Sequence, residues 1–254
     1  MKLILSLFSG IGLLDKAFKD EGYCVVSAGD IILGKHHDIC DFAAPLNKFD
    51  GIIGGSPCQD FSKANRDRPR DKNFYGLKML NEFKRIVQEA QPTWWLLENV
   101  PNVPNIKIDG YSYQRIDINQ SWYEDVNRLR HIQFGHKENK YIQISRTVTV
   151  PGTKNKSCAL ANDNRPFKEL VKLQGLDENF DIPSFNVQGK KRAVGNGVPL
   201  SIGRVLAKAV THLYKNNVTL QHVKYCKCDC KRIVTHQGLY YDFSCRKRYQ
   251  RSKV

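Results

Sequence analysis

Across residues 3–100 the chain alternates short apolar runs ending in Gly, Asp or Asn with segments of helical periodicity, and this alternation constrains the fold most. The run LILSL leads into a glycine-rich turn, and GLLDKAFKDEG reads as a short helix closed by Gly22. YCVVSAGD and DGIIGGSPC read as further strands, LKMLNEFKRIVQEAQP as an amphipathic helix stopped near Pro92, and TWWLLENVP as another strand. Such alternation predicts an α/β fold, a parallel sheet covered on both faces. Ligands of these sheets sit beyond the carboxyl ends of the strands. Gly10, Asp30, Cys58 and Glu98 all fall at such ends and are expected to converge on one crevice.

The second half reads differently. Residues 136–165 are polar and β-branched, without a helical period. FKELVKLQGLDENF looks like a helix closed by Gly175. VPLSIGRVLAKAV places Val198, Ile202, Val205, Leu206, Ala209 and Val210 on one face of a helix that must pack on something. No stretch approaches the roughly 18 apolar residues needed to span a bilayer. The opening MKLILSLFSGIGLL imitates a secretory signal, but Gly10 and Gly12 interrupt it and Asp15 and Lys16 follow at once. The expectation is a cytoplasmic protein of a bacterial or phage-infected cell, with no membrane partner. Its eight cysteines are then thiols, a nucleophile or metal ligands.

Charge narrows the partner. The net charge is +15, yet residues 1–60 carry −3 and residues 215–254 carry +8. A basic excess confined to the later part suits a polyanion meeting one side of the molecule; a solvated basic surface is the bland alternative.

Three constellations carry chemistry. Phe8-Ser9-Gly10-Ile11-Gly12 lies between a strand and a helix, where glycines let the backbone approach a ligand at the helix N-terminus. It lacks the third glycine of the dinucleotide fingerprint, so a merely tight turn fits as well. Asp30 stands where a carboxylate can accept hydrogen bonds from ribose hydroxyls, or simply close a surface turn. Ser56-Pro57-Cys58-Gln59 places a thiol after a rigid turn at a strand end, and that thiol must ionise to attack. Glu98-Asn99-Val100 ends a neighbouring strand, where a carboxyl group could protonate a ring nitrogen or serve as an ion-paired cap.

Taken in order, LSLFSGIGLLDKAF, Asp30, Asp38-Ile39, GGSPCQDFS, WLLENV, Asn127-Arg128-Leu129-Arg130, RPFKELVKLQGLDENF and AVGNGVPLSIGRVLA resemble the motifs of the DNA cytosine-5 methyltransferase family. The resemblance covers most of residues 3–210 and implies a Rossmann-like fold that uses S-adenosylmethionine. By position it makes Cys58 the nucleophile at C6 of a flipped-out cytosine, Glu98 the group engaging N3, and Arg130 a holder of the base. Arg128, Pro57, Gln59 and Asn99 complete the implied catalytic set. Phe8, Ser9, Gly10, Gly12, Asp30, Ile31, Asp38, Ile39, Asn196 and Val198 would line the donor pocket. SKANRDRPRDKNF, with five basic and two acidic residues, resembles the family's DNA-closing loop. The implied partner is double-stranded DNA, met by a monomer. The alternatives are an RNA (transfer RNA) cytosine-5 methyltransferase and an inactive nucleic-acid-binding relative.

The chain departs from the family pattern in three places. Asp30 and Asp38 are too close for the helix usually found between them. Val126 stands where a glutamine is expected. The segment before RPFKEL is short where the family has a large target-recognition region, which predicts a short target sequence.

The tail reads Cys226-Lys-Cys228-Asp-Cys230, then fourteen residues, then Cys245. Four thiolates could close a tetrahedral zinc site, with His222 or His236 as substitutes for one of them; a disordered basic tail is the alternative. The expected organisation is 1–135 catalytic and donor-binding, 136–187 reduced recognition region, 188–214 a returning motif and helix, and 222–254 a basic zinc module.

Overall fold

The computed structural model describes residues 2–33, 37–63, 65, 74–146, 156–215, 226–228 and 243–251. Most of the basic loop after Cys58 and residues 147–155 of the recognition segment lie outside these, as do Cys230, His222 and His236.

Alternate residues of a strand point to opposite faces, and here the two faces carry two separate cores. Strand β1 (Leu3–Leu7) sends Ile4 to one side, where helices α1 (Leu13–Asp20) and α5 (Leu200–Lys215) cover it. It sends Leu5 and Leu7 to the other, under helix α2 (Tyr75–Ala90). Helix α5 packs on α1 closely, because a Cβ at Gly203 would stand 3.0 Å from that of Ala17. The apolar face expected on α5 is thus the cover of one sheet face, with Ile202, Leu206 and Val210 fully buried.

The sheet continues with β2 (Cys24–Ala28), β3 (Gly51–Gly54), β4 (Trp94–Asn99), β5 (Gln114–Asn119) and β7 (Leu129–His136), in the order β2-β1-β3-β4-β7-β5. The expected parallel sheet is present from β2 to β4, but β7 runs against both of its neighbours. Only nine residues link β5 to β7, and a parallel connection needs a crossover of a dozen or more. Two tryptophans fill the sheet's centre. Trp94 is registered against Gly51 and Trp95 against Gly135, and in each pair a Cβ on the glycine would lie within 2.5 Å of the indole.

Between Asp30 and Asp38 the described residues hold only one 3-10 turn, Ile31–Leu33, as the short spacing predicts. That leaves β2 at the sheet edge, with Val26 44% exposed. Beyond β7, strand β8 (Lys156–Ser157) pairs with β6 (Val126–Asn127), and helices α3 (Phe167–Leu173) and α4 (Val187–Asn196) share a small core with Val126 and Ala159. Helix α3 stops before Gly175, whose φ of +71° is the left-handed turn that ends a helix. Helix α4 is hard to read in the sequence because Gly189 and Gly195 and three basic residues break its apolar pattern. Its start is nonetheless fixed, since Asn186 accepts a hydrogen bond from Gly189 N at 2.8 Å. The tail supplies one further helix, α6 (Phe243–Arg251). No helix among the described residues is long and apolar enough to cross a membrane.

Candidate active site

The turn after β1 is strained. Phe8 has φ 53°, a left-handed conformation that costs a non-glycine residue about 1–3 kcal/mol, and Gly10 and Gly12 follow at φ 55° and 73°. Two carboxylates hold it. Asp30 accepts from Gly10 N at 2.6 Å and from Ile32 N at 2.9 Å. Asp15, buried at the start of α1, accepts from Ser6 Oγ at 2.5 Å and Ser27 Oγ at 2.7 Å, tying the helix to β1 and β2. Asp38 accepts from Cys40 N at 2.9 Å, and the hydrogen bonds from Cys40 hold its carboxyl below the usual carboxylate range.

Cys58 follows the end of β3 and opens a 3-10 turn, Gln59–Phe61. The turn before it is fixed by Asn99, whose amide donates to Ser56 O at 3.0 Å and Ser56 Oγ at 2.9 Å. Asn99 therefore positions the thiol's loop from the neighbouring strand. Burial pushes the Cys58 thiol up, Glu98 adds to that, and Arg130 and Arg128 pull it back.

Glu98 is the fifth residue of β4 and is registered opposite Ile132 of β7. Arg130 lies two residues before Ile132, hence diagonal to Glu98 on the same face. The two meet, Arg130 Nε to Glu98 Oε1, at 2.8 Å. Burial raises the Glu98 carboxyl against the pull of Arg130 and then Arg128. A carboxyl group whose pKa is raised in this way is suited to general acid chemistry.

All of this opens onto one cavity of about 370 Å³, in the size range of small-molecule sites. Of the residues expected at a donor pocket, Phe8, Ser9, Gly10, Asp30, Ile31, Asp38, Ile39, Asn196 and Val198 line it. Pro57, Cys58, Gln59, Glu98, Asn99 and Arg130 line its other end. Gly12 does not reach it; it caps α1 and faces a neighbouring cavity walled by Phe180 and Phe185.

Arg128 is a second correction. Expected in the catalytic set, it does not line the cavity: it is buried and donates to the carbonyls of Ala159, Gly195 (2.8 Å) and Gly197 (3.1 Å). Burial, and then Arg130, pulls it down to about 10, which leaves it charged at neutral pH. The carbonyls at the end of α4 lack helical partners, and Arg128 satisfies them together with Gln174, which donates to Val194 O and Gly197 O. Arg128 thus shapes the wall that carries Asn196 and Val198.

Sequence reasoning missed Asp15, Tyr75, Met79 and Gly55, which also line the cavity. Tyr75 and Met79 sit on α2 and read only as part of its amphipathic pattern. Gly55 leaves room for Glu98, since a Cβ there would stand 3.3 Å from Oε2. Asp15 carried a usable signal, a carboxylate on the buried side of a short helix.

Comparison with known proteins bears on this arrangement. Residues 3–109 match the family model described as C-5 cytosine-specific DNA methylase. The chain is 40% identical over 118 residues to the Type II methyltransferase M.FnuDI of Fusobacterium nucleatum, covering 39% of this chain and 32% of that one. It is 29% identical over 217 residues to the Type II methyltransferase M.MthTI of Methanothermobacter thermautotrophicus, covering 71% of this chain and 63% of the relative. With the Type II methyltransferase M.HgiGI of Herpetosiphon aurantiacus it is 31% identical over 122 residues, covering 41% of this chain and 94% of the relative. The chain thus spans less than two thirds of the length of the first two. A solved structure, the Entamoeba histolytica methyltransferase EhMeth, superposes with a TM-score of 0.64 at 13% identity, covering 85% of this chain and 99% of that one.

The fold is that of the Rossmann-like, S-adenosylmethionine-dependent methyltransferases, with a thiol and a buried carboxyl group at one end of its cavity. Within that class, the chain belongs to the DNA cytosine-5 methyltransferase family.

Proposed function

We propose that the protein transfers a methyl group from S-adenosylmethionine to C5 of cytosine in double-stranded DNA, acting as a monomer through a covalent adduct on Cys58. The observation that carries this reading is the meeting of Cys58, Glu98 and Arg130 on the cavity that the strained Phe8–Gly12 turn and Asp30 also enter.

The donor fits the residues present. Asp30 would take ribose hydroxyls with the lone pairs left free by Gly10 and Ile32. Asp38 and Ile39 would flank the adenine, and Asn196 and Val198 would close the opposite wall. The donor supplies an electrophilic methyl on a sulfonium sulfur.

The target base must leave the duplex to reach so enclosed a site, at a cost of a few kcal/mol. Glu98 then gives its proton to N3, which makes C6 electrophilic. The Cys58 thiolate would add to C6, and the electron pair displaced to C5 would take the methyl group that the donor supplies, its sulfur leaving with the electron pair of the broken carbon–sulfur bond. Loss of the C5 proton to water, expulsion of Cys58 as thiolate and return of the N3 proton to Glu98 restore the neutral aromatic ring. Arg130 holds Glu98 and steadies the base. A structural metal ion in the tail is a separate part of the reading, resting on its own thiols.

Duplex DNA carrying 5-fluorocytosine tests this directly, because fluorine at C5 blocks the final elimination. The expected result is a donor-dependent covalent complex on DNA, absent in Cys58→Ser. A complex that persists in Cys58→Ser excludes the mechanism, and one formed only on RNA moves the substrate to RNA.

A further inference from the structure

We propose that the tail holds a thiolate-bound metal ion, zinc in the cell, on Cys226, Cys228 and Cys245. The three side chains are buried, at 4%, 8% and 2% exposure, and their sulfur atoms lie within 4.8 Å of one another. In a tetrahedral zinc site with Zn–S bonds of about 2.3 Å the sulfurs stand ~3.8 Å apart, so three sulfurs this close need move only by small side-chain adjustments to share one ion. Cys226 and Cys228 approach to 3.3 Å, well beyond the roughly 2.05 Å of a disulfide, and none of the described cysteines is in a disulfide.

Other accounts of the cluster fall short. Among the described residues the apolar core of the tail is three cysteines against Tyr249, and a segment this small generally folds with a metal or a cross-link. As a chance proximity it is improbable, because Cys245 arrives from α6, seventeen residues beyond Cys228, rather than from an adjacent turn. Cys245 is the third residue of α6, so the positive end of the helix dipole faces the thiolates. Arg246 and Arg251 on the same helix are exposed, and their charge offsets that of a trithiolate centre. Soft thiolate sulfur selects zinc over magnesium or calcium.

Cys230 lies outside the described residues and is not part of the site as proposed. The fourth position of the ion belongs to a donor that the experiment identifies.

The test uses the full chain, purified under reducing conditions without chelator. Elemental analysis should find about one zinc per chain, as a single tetrahedral site requires. Cobalt(II) added to the metal-stripped chain should give intense thiolate charge-transfer absorption with the visible bands of a tetrahedral ion. Both signals should be lost in Cys226→Ser and Cys245→Ser and retained in Cys24→Ser, with folding followed by circular dichroism. Loss in Cys230→Ser, or else in His222→Ala or His236→Ala, names the fourth donor and supports the site. Absence of metal together with a cobalt titration lacking charge transfer overturns the proposal without recourse to a variant. Undiminished loading when Cys226, Cys228 and Cys245 are replaced together overturns it as well.

Discussion

The thiol and the carboxyl group of this site act on each other through charge. Glu98 helps hold the Cys58 thiol in its protonated form, while Arg130 and Arg128 favour the thiolate. Once Glu98 has given its proton to a bound base it stands as a carboxylate, and Arg130 and Arg128 offset the charge that would otherwise hold the Cys58 thiol protonated. Glu98→Gln separates the two effects. Methyl transfer should slow by about 10²–10⁴-fold, the usual contribution of general acid assistance. Alkylation of Cys58 by iodoacetamide in the free protein should instead become faster at neutral pH, its profile moved to lower pH. A profile left in place would mean that Glu98 does not set the thiol's charge state. Cys58, Glu98 and Arg130 were legible in the sequence because each follows a strand end or a short motif. Arg128 entered the expected set only through its motif, and where its side chain goes depends on long-range contacts that the motif does not show. Arg128 precedes β7 and turns inward, to carbonyls contributed by residues 31 to 69 positions away.

Among the elements, the four strands from β2 to β4 were readable because each is an unbroken apolar run bounded by turn residues. The reversal of β7 was not, since strand direction follows from the length of a link and from the order of pairing, and neither shows in hydropathy. Reversal has a use here: it brings the beginning of β7, not its end, to the crevice, and with it Arg130. The sheet's centre is equally specific. Gly135 has no room for a methyl group, because its Cβ would stand 2.4 Å from Trp95 Nε1 and 2.7 Å from the backbone oxygen of Ser112. Gly135→Ala should destabilise the protein by about 1–3 kcal/mol, the range for overpacked cores. A urea midpoint equal to that of the parent protein would show that Trp95 can move aside.

For the molecule as a whole, on the function proposed above, a recognition region as small as residues 136–187 would limit what can be read in DNA. Each good bidentate base contact supplies about 1–3 kcal/mol of discrimination, and few such contacts fit on so short a segment. The expected target is roughly two to four base pairs, to be read by bisulfite sequencing of a methylated plasmid. A six-base consensus would place recognition elsewhere, the basic loop after Cys58 being the first place to look. The anchoring of the recognition region bears on how it could vary. Arg165 donates to Ser157 O, Cys158 O and the Asp163 carboxylate, while Arg128 grips Ala159. The incoming end of the segment is held by the sheet through β7. Both ends are therefore pinned independently of what lies between them, and lengthening a closed loop costs little, about 0.6 kcal/mol per doubling. Ile142 is itself buried in the core and exchanges hydrogen bonds with the Gln114 side chain, so the inner anchor reaches well past β7; a cartridge of another length or charge would have to be seated between residues 146 and 156, where both anchors are left in place.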